Sequence, residues 1–339
     1  MVKLIQTGIV FVLLMPLLSG CGGPESSGDL YLQRISQALD RPLTTTPTAL
    51  VQYPARRHLL RQIPSLNISV AEFARLHACD MGGLVGARNG SLARLALDSQ
   101  RLLYELTWLQ AADVCIRQGQ AWLEPLVEQK RASLPDMLWN ATFASAELST
   151  AMGQSTAAAN HSPGADEHFR MLADLISSGL DQNPELLRAH FEETLRQLTL
   201  SARIGERRQY WSILRAQLQA ASAALTQREP AVCLSGRPND RSRRLLAVFQ
   251  RYYVAQWQVE FSQRLSADER WLSALARSVE LLQTSASVEF LQWYNHTLNN
   301  HSERSEWQRT RQAVRDHVQA WQGLFEQCGI DVASLRGTT

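Results

Sequence analysis

The sequence predicts an all-α fold, an elongated multi-helix bundle with long antiparallel helices and a short irregular or extended segment near residues 42–68. Three observations carry this. Apolar residues recur at three- and four-residue intervals along most of the chain. Between those runs lie helix-start signals, a Ser, Asp or Asn with an acid or proline close behind. No series of segments alternates apolar and polar residues as strands would, and no internal repeat of about 20–50 residues is present.

The chain opens on Lys3, an apolar run from Gly8 to Leu18, and then Ser19-Gly20-Cys21. A basic start, a short apolar core and small residues at the cut make a secretory signal over residues 1–20. The apolar run falls short of the ~20 residues a bilayer span needs. Leu17-Leu18-Ser19-Gly20-Cys21 narrows the signal to the lipoprotein type. In that type the Cys21 thiol takes a diacylglycerol, the chain is cut before it, and the new amine is acylated. Residues 21–28, rich in Gly and Ser, are the expected lipidated tether. Residues 29–339 are the expected single all-helical domain, with 153–164 as the candidate point of subdivision. Gly22 follows the cysteine where an aspartate would favour the inner membrane, so the expected place is the outer membrane, periplasmic face.

In order, Leu30, Ile35 and Leu39 predict a first short helix that ends at Arg41-Pro42. Pro47, Tyr53-Pro54 and Pro64 keep the next stretch irregular, with a short strand expected at 66–68. Ser69 and Glu72 form a capping box, and the helix they start presents Phe73, His77 and Met81 on one side. Gly82, Gly83 and Gly86 loosen the chain after it. Asp98 caps a helix carrying Leu102, Leu106, Leu109 and Ile116, closed by Gly119. Leu134-Pro135 opens the next, with Leu138, Thr142, Ser145, Leu148 and Met152 in phase. Residues 153–164 form a polar loop and Asp166 restarts helix. Asn183-Pro184-Glu185 combines an N-cap, a first-position proline and a first-turn acid. The helix it opens runs towards Leu225 with an interruption expected at Gly205. Asp240 caps the next. Ser266 and Glu269 predict a second capping box, a tight turn and an antiparallel pair. Ser285–Ser287 is a weak point. The last helix repeats every seven residues at Trp307, Val314 and Trp321, and Gly329 stops it.

Composition excludes several classes. The chain has 45% apolar residues and a formal charge of +2, which falls to +1 without Lys3. That is no field for nucleic acid. Lys130 is the only lysine after residue 21, and Val127 stands three before it, so a Ser-x-x-Lys nucleophile site is excluded. No cofactor motif, nucleophile elbow or phosphate loop is present, and no catalytic residue is assigned. No metal is expected. His190 and Glu193 share a helix face without a third ligand, and His296 and His301 point to different faces.

With Cys21 lipidated, Cys79, Cys115, Cys233 and Cys328 remain, an even number in an oxidising compartment. Three connectivities are open. Antiparallel helices around the Asn89-Gly90 turn bring Cys79 within reach of Cys115. The Asp240 and Ser266 caps fold the later helices back and forth and return Cys328 to the loop holding Cys233. The expected pairs are therefore 79–115 and 233–328. Arg88, Asn89 and Ser91, in a polar turn flanked by glycine, are the candidate ligand turn. The nine tryptophans fall on predicted helices and read as core. Arg241, Arg243 and Arg244 read as a solvated helix start that could also meet lipid phosphates.

Tyr53-Pro54, Cys79, Arg88-Asn89-Gly90-Ser91-Leu92, Ser99-Gln100-Arg101-Leu102-Leu103-Tyr104-Glu105 and Cys115, behind the Cys21 signal, resemble a family of gammaproteobacterial lipoproteins catalogued only as a domain of unknown function. The resemblance spans most of the mature chain and is sharpest over residues 53–117. It implies the lipid anchor and paired cysteines, and it implies no catalytic residues. The expected function is a non-enzymatic envelope protein, held to the membrane by its lipid, that offers helix faces to an envelope protein partner. The reading from another class is a cell-wall-acting enzyme or its activator.

Overall fold

The computed structural model describes residues 26–79, 81–88, 96–153, 155, 165–227, 232–233 and 236–330. The signal segment, Cys21, and Asn89 and Ser91 of the candidate turn lie outside the described residues. Within them the chain is mostly helical and no strand forms.

Helix α1 (Ser27–Leu39) starts on the Ser26 hydroxyl, which accepts from the Asp29 amide. It takes Ser27 and Gly28 from the expected tether. Residues 41–55 then run extended along later helices. Ser212 donates to the Thr48 carbonyl, Arg208 to the Val51 carbonyl and Tyr53 to the Phe143 carbonyl. A single turn, α2 (Arg56–Leu59), seats Leu59 in the core. The strand expected at 66–68 does not form. Earlier in this segment the backbone is tied to a side chain: Asn140 accepts from the Arg61 amide and donates to its carbonyl, both at 2.8 Å.

The Ser69–Glu72 capping box starts α3 (Val70–Arg75), which tightens into a 3-10 turn over Leu76–Cys79. The three glycines do not loosen the chain; they lie inside α4 (Met81–Arg88). At Gly82 a Cβ would meet the His77 ring at 2.8 Å, so the close approach needs glycine. Helix α5 (Asp98–Arg117) begins with Asp98 at its first position and Leu97 as the cap. Helix α6 (Glu124–Ala141) starts ten residues before the expected Leu134-Pro135, on Pro125 near its first position, and Pro135 lies in its interior. It stops at Thr142, and Ser145 caps a separate α7 (Ala146–Ala151). Leu138, Thr142, Ser145, Leu148 and Met152 are nevertheless all buried.

Helix α8 (Ala165–Leu180) leads to the Asn183 cap and α9 (Pro184–Gln197). The expected interruption falls at a π turn over Leu198–Ala202 and at Arg203, whose φ is 44°, two residues before Gly205. Gly205 itself is inside α10 (Ile204–Thr226).

Helix α11 spans residues 240–281 as Asp240–Val248, a π segment Phe249–Trp257 and Gln258–Leu281. Its cap is Asn239, boxed with Ser242. The expected turn at Ser266 is absent: Ser266 and Glu269 are mid-helix, and α11 is roughly 60 Å long. Residues spaced three apart occur in any helix, and here Glu269 bonds Arg311 at 2.6 Å. The chain turns instead at 282–287. Ser287 caps α12 (Val288–Thr297) and Ser305 caps α13 (Glu306–Cys328).

Two hydrophobic clusters result. The larger gathers α5 to α9, the start of α10, the end of α11 and α12, with Trp139, Trp211, Trp271 and Trp307 fully buried. The smaller gathers α1, the rest of α10, the first half of α11 and most of α13. Leu148 and Phe169, on either side of 153–164, belong to the same cluster. Helices α10, α11 and α13 run through both clusters. At their junction lie two buried ion pairs, Arg207–Asp268 at 2.7 Å and Arg208–Glu306 at 2.8 Å. Asp268 also accepts from the Trp211 and Trp271 indoles. Charges out of water need such added bonds to offset their desolvation.

Both expected disulfides are present. Cys79–Cys115 has its Cα atoms 5.4 Å apart and Cys233–Cys328 5.3 Å. The second closes by a different route from the one expected. Helix α13 returns after the 282–287 turn and α12, and ends at Gly329 with φ of 64°. A Cβ there would meet the Gly236 carbonyl at 2.5 Å, so the segment after Cys233 passes directly against the helix end.

Candidate functional site

A cleft of about 900 Å³ lies between α4, α5, α6 and the segment 56–68. Each wall has a local cause. Helix α5 contributes Asp98, Arg101, Leu102, Glu105 and Trp108, spaced by three and four along one face. Helix α6 contributes Leu126, Lys130, Ser133, Met137 and Asn140 by the same rule. The C-terminal end of α6 holds the third wall: the Trp139 indole donates to the Leu59 carbonyl at 2.7 Å, and Asn140 clamps Arg61. Arg56 donates to the Ala144 carbonyl and to Asp98. The Cys79–Cys115 bond ties the turn before α4 to α5, and α4 brings Arg88 and Val85 to the rim.

The floor is a part-buried pair. Lys130 donates to Glu105 and lies 4.7 Å from the centre of the Trp108 ring. The Glu105 carboxylate also faces Arg88 at 3.9 Å, and Arg88 covers the Tyr104 ring at 5.8 Å. Burial, and after it the Glu105 charge, hold the Tyr104 phenol well above its ordinary pKa, so it stays protonated. The Ser133 hydroxyl donates to the Gln129 carbonyl at 2.9 Å. The cleft thus presents cations, amides and aromatic edges, a surface for holding an anion.

Of the candidate turn, the structure places Arg88 in this cleft; Asn89 and Ser91 lie outside the described residues. Arg241 and Arg244 reach Asp40, and Arg243 pairs with Asp240. Glu193 binds Arg196 and Gln197, not His190. Eight of the nine tryptophans are buried in the clusters. Sequence reasoning did not find Arg56, Arg57, Arg61 or the Lys130–Glu105 floor. Their one sequence signal was Arg101 and Glu105 inside the stretch that carried the family resemblance.

A second polar centre sits in the smaller cluster. His317 is fully buried on α13, with Nε2 2.7 Å from the Tyr31 hydroxyl and Nδ1 3.0 Å from the Ser222 hydroxyl. The Trp321 indole donates to Tyr31 at 2.9 Å. Burial lowers the His317 pKa to about 3.

An all-helical, twice-bridged protein with a cation-lined cleft is the class that fold and site define. Within that class, the family model described as Protein of unknown function (DUF3080) matches residues 28–332, and the chain belongs to that family. No curated protein and no solved structure matches it.

Proposed function

We propose that this chain is a lipid-anchored envelope protein on the periplasmic face of the outer membrane, acting by binding and not by catalysis. The observation that carries the reading is the cysteine arrangement. All four cysteines beyond residue 21 are paired, and Cys21 alone stands in a lipoprotein signal. Such bridges form and persist in oxidising compartments. In the chain-entropy model, loops of 36 and 95 residues are worth roughly 4 and 5 kcal/mol when closed. The binding part rests on the cleft, where Lys130 neutralises Glu105, Ser133 is bonded to a carbonyl and Tyr104 stays protonated. Its partners on this reading are the membrane, through the lipid, and an envelope protein. Fractionation after Cys21→Ser tests it. The wild type is expected with outer membranes after a carbonate wash, and the variant uncleaved or soluble. A variant that still fractionates with washed outer membranes would refute the anchor.

A further inference from the structure

We propose that the cleft between α4, α5, α6 and residues 56–68 binds a phosphate-bearing ligand of sugar-phosphate size. The proposal rests on reading the protein as a binder, and it does not depend on the anchor. Volume is the first support: about 900 Å³ lies in the range of small-ligand clefts.

Charge is the second. Arg56, Arg57, Arg61, Arg88, Arg101 and Lys130 line the cleft against only Asp98 and Glu105. A third carboxylate, Asp136, reaches Arg61 at 3.6 Å without lining the cleft. The whole chain is only +2, so positive charge is concentrated here and balanced elsewhere. These cations come from four separate segments that enclose a volume, unlike the solvated face of a single helix. Low-dielectric walls focus such a field on what enters. Guanidinium forks match oxyanions in pairs of hydrogen bonds. A phosphate monoester brings up to about two charges per group, so about two such groups offset the excess where several carboxylates would be needed.

The third support is the neutral lining. Gln62, Ser65 and Asn67 on the extended wall are suited to hydroxyl groups, and Trp108, with Lys130 over its ring, completes the lining at the floor. The phosphate could belong to a membrane lipid headgroup or to a soluble phosphorylated sugar.

Calorimetric titration of the full chain in nonionic detergent decides the matter, with inorganic pyrophosphate as one probe and micelles doped with phosphatidic acid as the other. Binding is expected for at least one probe, weakening steeply with added salt. The exposed-rim double variant Arg57→Glu/Arg101→Glu is expected to weaken it roughly tenfold or more. Arg251→Glu, exposed on the π segment of α11 and outside the cleft lining, serves as the control and is expected to bind as the wild type does. Circular dichroism shows whether each variant is folded. Binding to doped micelles alone assigns a lipid headgroup; binding of pyrophosphate in plain micelles assigns a soluble ligand. Heat from neither probe, or a folded double variant that binds within tenfold of the wild type, overturns the proposal. Lipidation is not read by this titration, so its failure is distinct from a failure of the anchor.

Discussion

His317 shows how a single residue makes stability depend on pH. In the folded chain its ring is enclosed by Tyr31, Ser222, Tyr253, Trp257 and Trp321, and its pKa is lowered to about 3. Unfolded, an imidazole titrates near about 6.5. Between those values the unfolded chain binds one more proton than the folded one, so folding stability falls as pH falls through that window. Above it the contribution is flat. Urea unfolding at pH 7.5 and pH 5.0 should show the wild type losing about 2 kcal/mol more than His317→Gln over the same change. Equal losses would mean that the His317 ring is open to protons in the fold. The part-buried pair Lys130–Glu105 follows the same logic of enclosure, but there two charges satisfy each other at the floor of a cleft.

Some helix ends were legible from a single capping residue. Ser69 with Glu72, Asn183 before Pro184, and Gly329 each bound an element where the sequence places them. Interiors were less legible, because capping spacings also occur inside helices. Ser266 and Glu269 carry a box pattern, yet the apolar line from Phe261 and Leu265 to Leu272 continues through them into the larger cluster. Pro135 misled in the opposite sense, since α6 tolerates it in mid-helix. Ala267 discriminates between the two accounts of α11. Proline is favoured at a first helical position and costs about 3 kcal/mol or more in an interior. Ala267→Pro should therefore lower the urea unfolding free energy by about 3 kcal/mol or more. A variant as stable as the wild type would restore the turn. The cleft was the least legible feature. Arg56 lies on the single turn α2, Arg61 on the irregular segment after it, Arg88 on α4, Arg101 on α5 and Lys130 on α6; only the packing of α5 and α6 against the clamped segment 59–61 brings them together.

For the molecule as a whole, three long helices carry the burden of unity. Helices α10, α11 and α13 cross both clusters, and the extended segment beside α10 does so too, from Leu43 on the smaller cluster to Tyr53 on the larger. One disulfide locks each end of the arrangement: Cys79–Cys115 lies with the larger cluster and Cys233–Cys328 with the smaller. Helix α1 joins the smaller cluster directly after Ser26, so only residues 22–25 separate its cap from Cys21, a reach of about 18 Å at most. A lipid on Cys21 would therefore hold the folded body close to the membrane surface. The central claim is that one cysteine carries the lipid while the other four form bridges. Intact-protein mass spectrometry of the membrane-extracted chain tests it directly. The account predicts residues 21–339 plus the mass of an acylated diacylglyceryl group and minus four hydrogens, with no thiol left to alkylate before reduction. A chain that retains residues 1–20, begins elsewhere without lipid, or alkylates at Cys79, Cys115, Cys233 or Cys328 without reduction would contradict it.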